Sequence, residues 1–420
     1  MYTCMNSKAD LAIIGAGAAG MMAALYAAQS GVRPLILEKN EKAGKKIYIT
    51  GKGRCNLTND CDLQEFLREV PVNPRFLYAA LKALSPQDMM KLMQDAGCPV
   101  KVERGRRVFP VSDKASDVTR TLLRLLSQAG AEIRYGAEAE ELVIRDGLIA
   151  GVRLKDGSEI SARAVIVATG GVSYPSTGST GDGYRFASQT GHRVIPPSPA
   201  LIPLVTQEKW CAELMGLSLT NVRLNAVYNG KTVYSELGEM LFTHFGISGP
   251  LVLELSCHLR GIPLDALQVT IDLKPGLTPD QTEDRLARDI ASGGKKQTVT
   301  LMEGLLPKRL AAIFPGLCGV DGQKPCAQIT ANERKALAGR LKALPLTVRR
   351  KRPIEEAVVT EGGVDVREIN PSTMASRLIP NLYFAGETLD VSAHTGGYNL
   401  HIAFSTGALA GRSAAKMILT

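Results

Sequence analysis

The sequence predicts an α/β protein whose parallel sheet is assembled from both ends of the chain, around an inserted middle region that is first β-rich and then helical. Three observations predict it. Near the N-terminus an apolar strand (Leu11–Ile14), an alanine-rich helix (Ala18–Ser30) and a second apolar strand (Leu35–Leu37) form a βαβ unit, the connection that parallel strands require. Strand-and-glycine character lapses near Ile195 and returns near Ile354. Between those points the pattern changes to short alternating segments and then to helical periodicity.

The remaining elements follow in order. A helical stretch runs over Asn73–Ala96, and another over Lys114–Gln128 with Ser112 or Asp113 as its cap. Glu132–Leu154 reads as alternating strands turning at Asp146-Gly147. Ala164–Ala168 is a fully apolar strand that ends in Thr169-Gly170-Gly171. The proline-rich IPPSPALIPL from Ile195 reads as a linker. Leu201–Leu273 carries alternating segments with Asn229-Gly230 as a hairpin turn, Thr278–Leu344 is helical, and a long helix over Asn399–Ile418 closes the chain. The expected boundaries are 1–194 with 354–420 for the discontinuous α/β domain, 195–275 for the β-rich part and 276–353 for the helical part.

Composition narrows the class. The 420 residues are 45% hydrophobic and 22% charged, which suits a large packed core and excludes a disordered or fibrous chain. The net charge of +9 is spread along the sequence, with its densest run at Arg349, Arg350, Lys351 and Arg352. Such a balance suits an anionic cofactor or substrate as well as nucleic acid. Eight cysteines show no CxxC pair, and no His/Cys cluster has metal-ligand spacing, so no metal site is expected. The N-terminus has no basic-then-apolar signal pattern, and no apolar run reaches the ~18 residues a membrane helix needs. A cytoplasmic protein with free thiols and no membrane insertion is expected.

Three motifs carry chemistry. In DLAIIGAGAAG, Gly15, Gly17 and Gly20 form GxGxxG directly after a strand and at the opening of a helix. This is the Rossmann-like arrangement: a tight turn, room for a pyrophosphate, and close helix–sheet packing. The helix N-terminus, including Ala18 and Ala19, then faces the phosphates. Glu38 ends the second strand about 20 residues on, where a carboxylate accepts from ribose hydroxyls. An acid there argues against a 2′-phosphate and leaves NAD or FAD. In the second motif, Thr169, Gly170 and Gly171 end an apolar strand, as in FAD proteins of the glutathione-reductase type, where this turn passes the adenosine and pyrophosphate. In the third, Gly386 and Glu387 follow an apolar strand, Asp390 is placed for ribityl hydroxyls, and Gly396-Gly397 lead into a helix at Tyr398-Asn399. Its N–H groups would face the flavin N1 and C2 carbonyl. A nicotinamide dehydrogenase has no use for this last element, so the cofactor is read as FAD. Lys39 and Lys46 are counted with these residues as cofactor-binding.

The segments GKGRCNLTN, GRRVFPVSDKASDV, ATGGVSYPSTGSTGDGYRFASQTGH, GEMLFTHFGISGPLVLELS and AVVTEGGVDV with TMASRLIPNLYFAGETLDVSAHTGGYN span nearly the whole chain. They resemble the bacterial flavoprotein family of aminoacetone-oxidase-like and 3-dehydro-bile-acid-reductase-like NAD(P)/FAD-dependent oxidoreductases. The resemblance implies an FAD domain, a β-barrel-like domain and a small helical domain. It also implies that Gly51, Gly53, Arg54, Cys55 and Asn56 lie near the isoalloxazine or pyrophosphate. A covalent flavin link or redox role for Cys55 is the sharper alternative to a small packed residue. His394 and His401 depart from the family pattern, and His394 with Arg54 are the catalytic candidates.

Hydride transfer at flavin N5 is the default chemistry. No second GxGxxG marks a nicotinamide domain, so NADH or NADPH would visit the flavin directly as a transient reductant. The expected reaction is reduction of an activated C=C bond in a small-molecule, enone-type substrate. A flavin-dependent amine oxidase using oxygen is one alternative. An FAD-dependent RNA-modifying or RNA-binding protein is another, although no nucleic-acid partner is expected from cations so scattered. The oligomeric state is left open.

Overall fold

The computed structural model describes residues 7–420, so the Met1–Asn6 part of the N-terminal reading lies outside the described residues. The chain divides into two units, Met1–Ala200 with Pro353–Thr420, and Leu201–Arg352.

In the first unit, β1 (Ser7–Ile14), α1 (Ala18–Gln29) and β2 (Pro34–Glu38) form the expected crossover, with Leu11 opposite Pro34 and Ile14 opposite Leu37. Every residue of β2 is buried, as in a parallel strand covered on both faces. The sheet runs Glu132–Tyr135, β2, β1, Glu159–Val167, all parallel. Strand Glu159–Val167 then serves two partners. Its first half pairs antiparallel with Leu148–Leu154 of a hairpin, and its last residues, Val165–Val167, pair parallel with Leu382–Phe384. The return of the chain after residue 353 therefore completes the same sheet more than three hundred residues after β1.

The C-terminal helix Tyr398–Leu419 lies on α1. The contact is backbone-close because Gly407 and Gly411 are bare. A Cβ at Gly407 would stand 2.2 Å from the Ala19 carbonyl oxygen, and one at Gly411 would stand 2.1 Å from that of Ala23.

Three sequence readings are corrected. The IPPSPA segment is a strand, Val194–Ala200, antiparallel to Val359–Val364. Its register shifts between Ile195 and Ser198, so Pro196 and Pro197, which cannot donate to a ladder, fall in the irregularity. The stretch Asn73–Ala96 is a 3-10 turn (Pro74–Leu77) and two helices, Tyr78–Ala83 and Pro86–Asp95. Ser85 caps the second in a box with Asp88 and Pro86 opens it, so Leu84 is extended. Helix Ala115–Gln128 starts after Lys114 with no side-chain cap. Asp113 has φ 55°, and its carboxylate is taken by Arg54 and Lys101.

The second unit is built on a seven-stranded antiparallel sheet in the order Leu344–Leu346, Gln268–Asp272, Ser218–Tyr228, Lys231–Thr243, Gly246–Ser248, Leu204–Thr206, Val348–Lys351. The hairpin turns at Asn229-Gly230, both with positive φ. The two outermost strands flank Thr347 in sequence, so the sheet curls until its edges meet at one residue. Helices Pro279–Gly293, Lys308–Leu317 and Ala331–Lys342 place Leu286, Leu310, Phe314, Leu337 and Leu341 in one core with Ile271 and Leu344.

Candidate active site

The site begins where β1 stops. Gly15 N–H donates to the Leu37 carbonyl at 2.8 Å, which ties the turn to β2. A Cβ on Gly20 would stand 1.9 Å from the Gly15 carbonyl oxygen, so only glycine lets α1 start this close to the strand. Gly17 differs: a Cβ there would meet nothing within 4 Å. No protein contact requires its bareness. It is the N-cap of α1 and no side chain caps the helix, so the first-turn N–H groups of Ala18 and Ala19 face space that suits an anion.

Glu38 is buried at the end of β2. Its Oε2 accepts from Ala16 N–H at 2.8 Å, and its Oε1 accepts from Asn40 N–H at 2.8 Å and Asn40 Nδ2 at 2.7 Å. The acid therefore fixes the glycine turn and the chain beyond β2.

The second motif lies against the first. The Ala168 carbonyl is 2.7 Å from where a Gly15 Cβ would be. Thr169 Oγ1 is buried with no partner. Beyond Gly170-Gly171, Lys46 Nζ donates to Ser173 Oγ and Glu387 Oε2, both at 2.6 Å. Glu387 Oε1 also accepts from Ser173 Oγ at 3.0 Å and Thr360 N–H at 2.7 Å. Lys39 Nζ pairs with Asp182 at 2.6 Å and reaches Thr180, which holds the glycine loop over the end of β2. The two lysines expected at the cofactor are thus engaged by the protein's own carboxylates.

The third motif is held just as closely. Gly386 N–H donates to Thr406 Oγ1 at 3.0 Å. Asn73 Nδ2 donates to the Asp390 carbonyl oxygen at 2.6 Å and more weakly to Oδ2 at 3.3 Å. Asn399 accepts from Ala393 N–H at 2.9 Å and donates to the carbonyls of Ala393 and His394. Gly397 has φ 100° and is the N-cap of the C-terminal helix. A Cβ on it would lie 2.4 Å from the Thr58 carbonyl oxygen. The end of the GKGRCNLTN segment is therefore brought to the start of that helix, where Asn59 Nδ2 donates to the Gly396 carbonyl at 3.2 Å. Tyr398 stacks edge-on against Phe66 at 5.0 Å.

The individual residues of GKGRCNLTN fare differently. Asn56 Oδ1 and Thr58 Oγ1 are buried without a partner, as is Ser392 Oγ between Asp390 and His394. Arg54 is held by Glu103 and Asp113 and lies over the Phe109 ring at 4.1 Å. Both carboxylates are held below their usual range by it and by Lys101. Its role in the structure is to tie Gly53 and Asn56 to the Val100–Glu103 and Arg107–Pro110 strands. Cys55 is fully buried, and burial pushes its thiol up to about 12. A thiolate for flavin attachment or redox exchange is disfavoured there. His394 pairs through Nδ1 with Glu69 Oε2 at 3.0 Å. His401 is buried in the C-terminal helix, with Nε2 on the Leu84 carbonyl. Glu69, Asn73, Thr58 and Ser173 are brought to these motifs and were not singled out by sequence patterning, because His394, Asp390, Gly397 and Glu387, which they meet, are distant in the chain.

Open space over Gly17, an uncapped helix N-terminus, and unpartnered buried oxygens at Thr169, Asn56, Thr58 and Ser392 all fit a flavin dinucleotide laid along the carboxyl ends of the sheet strands. Residues 9–413 match the model of the HI0933-like protein Rossmann domain. The chain belongs to the HI0933-like family. It is similar to the 3-dehydro-bile acid delta(4,6)-reductase of Clostridium scindens, 32% identical over 97% of this chain and 99% of that protein. It is equally similar to the ribosomal RNA dihydrouridine synthase of Haemophilus influenzae, 32% identical over 96% of this chain and 97% of that one. In fold it resembles the 3-ketosteroid-delta4-(5alpha)-dehydrogenase of Rhodococcus jostii RHA1, with a TM-score of 0.53 at 16% identity, covering 99% and 98% of the two chains. This HI0933-like chain is an FAD-dependent oxidoreductase with a Rossmann-type α/β domain. Among the described residues, no helix is long and apolar enough to cross a membrane.

Proposed function

We propose that this chain reduces a C=C bond conjugated to a carbonyl, with electrons from NADH or NADPH. The observation that carries the reading is the three-part cradle at the strand ends, with its unpartnered buried oxygens. Bound there, FAD would supply hydride at N5. Gly15, Gly17, Ala18, Ala19 and Gly20 would take the pyrophosphate, with Glu38 shaping the turn and offering its carboxylate to the ribose. Thr169, Gly170 and Gly171 would lie along the adenosine side. Asn56 and the Gly397–Asn399 helix start would hold the pyrimidine edge of the ring, and Asp390 the ribityl chain. Lys46 and Glu387 would brace the site as an ion pair. The segments before Ala200 and after Pro353 would form this flavin domain.

Two relatives support the reaction class. One is named for reducing a bile-acid double bond, and the other for making dihydrouridine, a uridine whose ring C=C is saturated. In each case the alkene is conjugated to a carbonyl, which accepts charge as hydride arrives at the β carbon. A small-molecule enone is the first substrate class. A uracil base in RNA is the second, supported by the synthase relative and by the net charge of +9. Cys55, Cys61, Cys98, Cys211, Cys318 and Cys326 are free thiols, which supports a reducing compartment such as the cytoplasm.

The test is anaerobic. Purified yellow protein is mixed with NADH or NADPH and bleaching is followed. The reduced protein is then offered a cyclic enone, a 4-en-3-one steroid or unmodified ribosomal RNA. Reoxidation by an alkene with formation of the saturated product supports the proposal. Bleaching only by an amine, with peroxide on re-aeration, would sink it.

A further inference from the structure

Helix Asp182–Gln189 follows the glycine loop of the second motif, and its third residue, Tyr184, is only 9% exposed. The phenol oxygen is buried and has no hydrogen-bond partner. Such a group costs stability until something satisfies it. An orphaned atom alone marks no site, since Glu208, Thr243 and Arg334 of the other unit carry one too. The surroundings of Tyr184 make the difference. A Cβ on Gly171 would stand 3.2 Å from its hydroxyl and 2.3 Å from Thr360 Oγ1, so the ring reaches the bare backbone that ends the second motif. The residue before it, Gly183, is packed on the orphaned hydroxyl of the same motif: a Cβ there would stand 2.5 Å from Thr169 Oγ1. Glu387 and Asp390 of the third motif are near enough for their charge to add to burial in raising the phenol well above its ordinary range. The phenol is therefore a donor at any physiological pH.

The protein groups at this place are already engaged. Thr360 Oγ1 accepts from Val172 N–H at 2.9 Å and from Ser173 N–H at 3.0 Å. Glu387 accepts from Lys46, Ser173 and the Thr360 N–H. Thr388 Oγ1 donates to the Gly170 carbonyl at 3.3 Å. What the Tyr184 hydroxyl lacks is an acceptor oxygen between the second and third motifs, and a phosphate or ribityl oxygen of a dinucleotide supplies one.

We propose that Tyr184 is a further cofactor-binding residue, whose hydroxyl donates to bound FAD between the Thr169–Gly171 turn and the Gly386–Asp390 segment, and that Tyr184 and Thr169 are a pair of hydroxyls satisfied only when the cofactor is in place. The inference rests on the FAD cradle of the proposed function and not on the identity of the substrate. It gives the two states of the protein opposite preferences. Without FAD the hydroxyls are a liability, and with FAD they hold it. A hydroxyl bonded to protein or to a buried water would stabilise both states alike.

Tyr184→Phe and Thr169→Val each remove the oxygen and keep the shape. Thermal melts of the full-length apoprotein, FAD titrations followed by flavin fluorescence, and Gly17→Glu as a control for the cradle decide the matter without turnover. In the apoprotein each variant is expected to melt at the wild-type temperature or slightly above it, because an unsatisfied buried oxygen gives way to an apolar group. FAD affinity is expected to fall about tenfold in each, so that at one fixed FAD concentration both melt below the wild type. In the apoprotein the double variant should show the sum of the single effects. A lowered apoprotein melt in Tyr184→Phe shows that the hydroxyl has a partner without FAD and overturns the proposal. Coupling between the two substitutions in the apoprotein overturns it as well, since the hydroxyls would then satisfy each other. If Gly17→Glu weakens FAD binding and Tyr184→Phe does not, the cradle stands and the role of Tyr184 alone is overturned. If neither weakens it, the cradle reading falls and Tyr184 with it.

Discussion

The seam between α1 and the C-terminal helix is the place where the smallest change should have the largest structural effect. Gly407→Ala puts a methyl 2.2 Å from the Ala19 carbonyl oxygen and 2.9 Å from its carbonyl carbon and Cα. The contact with the carbonyl oxygen is more than 1 Å short of the ~3.5 Å at which nonbonded heavy atoms rest. The clash is with backbone, so no side chain can rotate away and the helices must part. Glycine to alanine in a helix otherwise gains about 1 kcal/mol of propensity. Overpacking costs about 1–3 kcal/mol, more where backbone must move, so the net loss should be about 1–2 kcal/mol. At about 2–4 °C per kcal/mol, thermal melts should fall by several degrees. Gly411→Ala, at 2.1 Å from the Ala23 carbonyl oxygen, should behave alike. The double variant should lose less than the sum, because helices already parted by one methyl admit the second. Melts of the apoprotein, paired with hydrogen exchange over Ala18–Gln29, check this. Either single variant melting at or above the wild type would refute the reasoning, as would strict additivity.

Other outcomes follow from the site. A Cβ at Gly17 meets no protein atom within 4 Å, so for Gly17→Glu the apoprotein should melt within a degree or two of wild type while FAD titration shows affinity down at least about 100-fold by charge and bulk at the pyrophosphate; unchanged affinity would remove Gly17 from the site. Lys46→Met leaves Glu387, whose side chain is 18% exposed, without its cation; a loss of about 1–3 kcal/mol in thermal melts is expected, and Lys46→Met with Glu387→Gln should recover part of it. Burial pushes His401 down to about 4. Its folded-state value lies below the unfolded one, so its neutral form is the stable one. The stability it permits is complete above about pH 6.5 and is lost as pH falls toward 4, amounting to about 2 kcal/mol at pH 5. Melts of wild type and His401→Gln between pH 7 and pH 5 should converge as pH falls, and parallel curves would contradict the assignment. Glu333 is held down to about 2 by Lys324 and the Thr330 cap, so helix Ala331–Lys342 should loosen as pH falls from about 4.5 toward 2, read by hydrogen exchange.

What the sequence disclosed was local. GxGxxG between β1 and α1 is readable because strand, turn and helix are contiguous, and the Asn229-Gly230 hairpin is readable because its turn chemistry sits in two residues. Misreadings arose where long-range partners decide. IPPSPA reads as a linker until Val359–Val364 supplies a strand on which Pro196 and Pro197 fall in a bulge. Asp113 reads as a helix cap until Arg54 and Lys101 claim its carboxylate. Lys46 and Glu387 are 341 positions apart, and no pattern in either segment announces the pair. The Gly407–Gly411 spacing was a usable signal, since residues four apart share a helix face, yet nothing in it said which helix it would meet.

Glu38 shows how the two halves of the cradle depend on each other. Both its oxygens are committed to Ala16 and Asn40 before any cofactor is considered, so the turn is organised in advance and little ordering is left to oppose binding. The far side is organised by the same logic: Glu387 draws Lys46, Ser173 and Thr360 together from three segments. Those segments are the helix Lys45–Ile49 beyond β2, the loop after strand Glu159–Val167, and the returning strand Val359–Val364. A dinucleotide spanning them would bind only when all three are assembled. Its binding energy would then stabilise the join between the two ends of the chain by mass action, which makes the discontinuous domain and its cofactor a single cooperative unit.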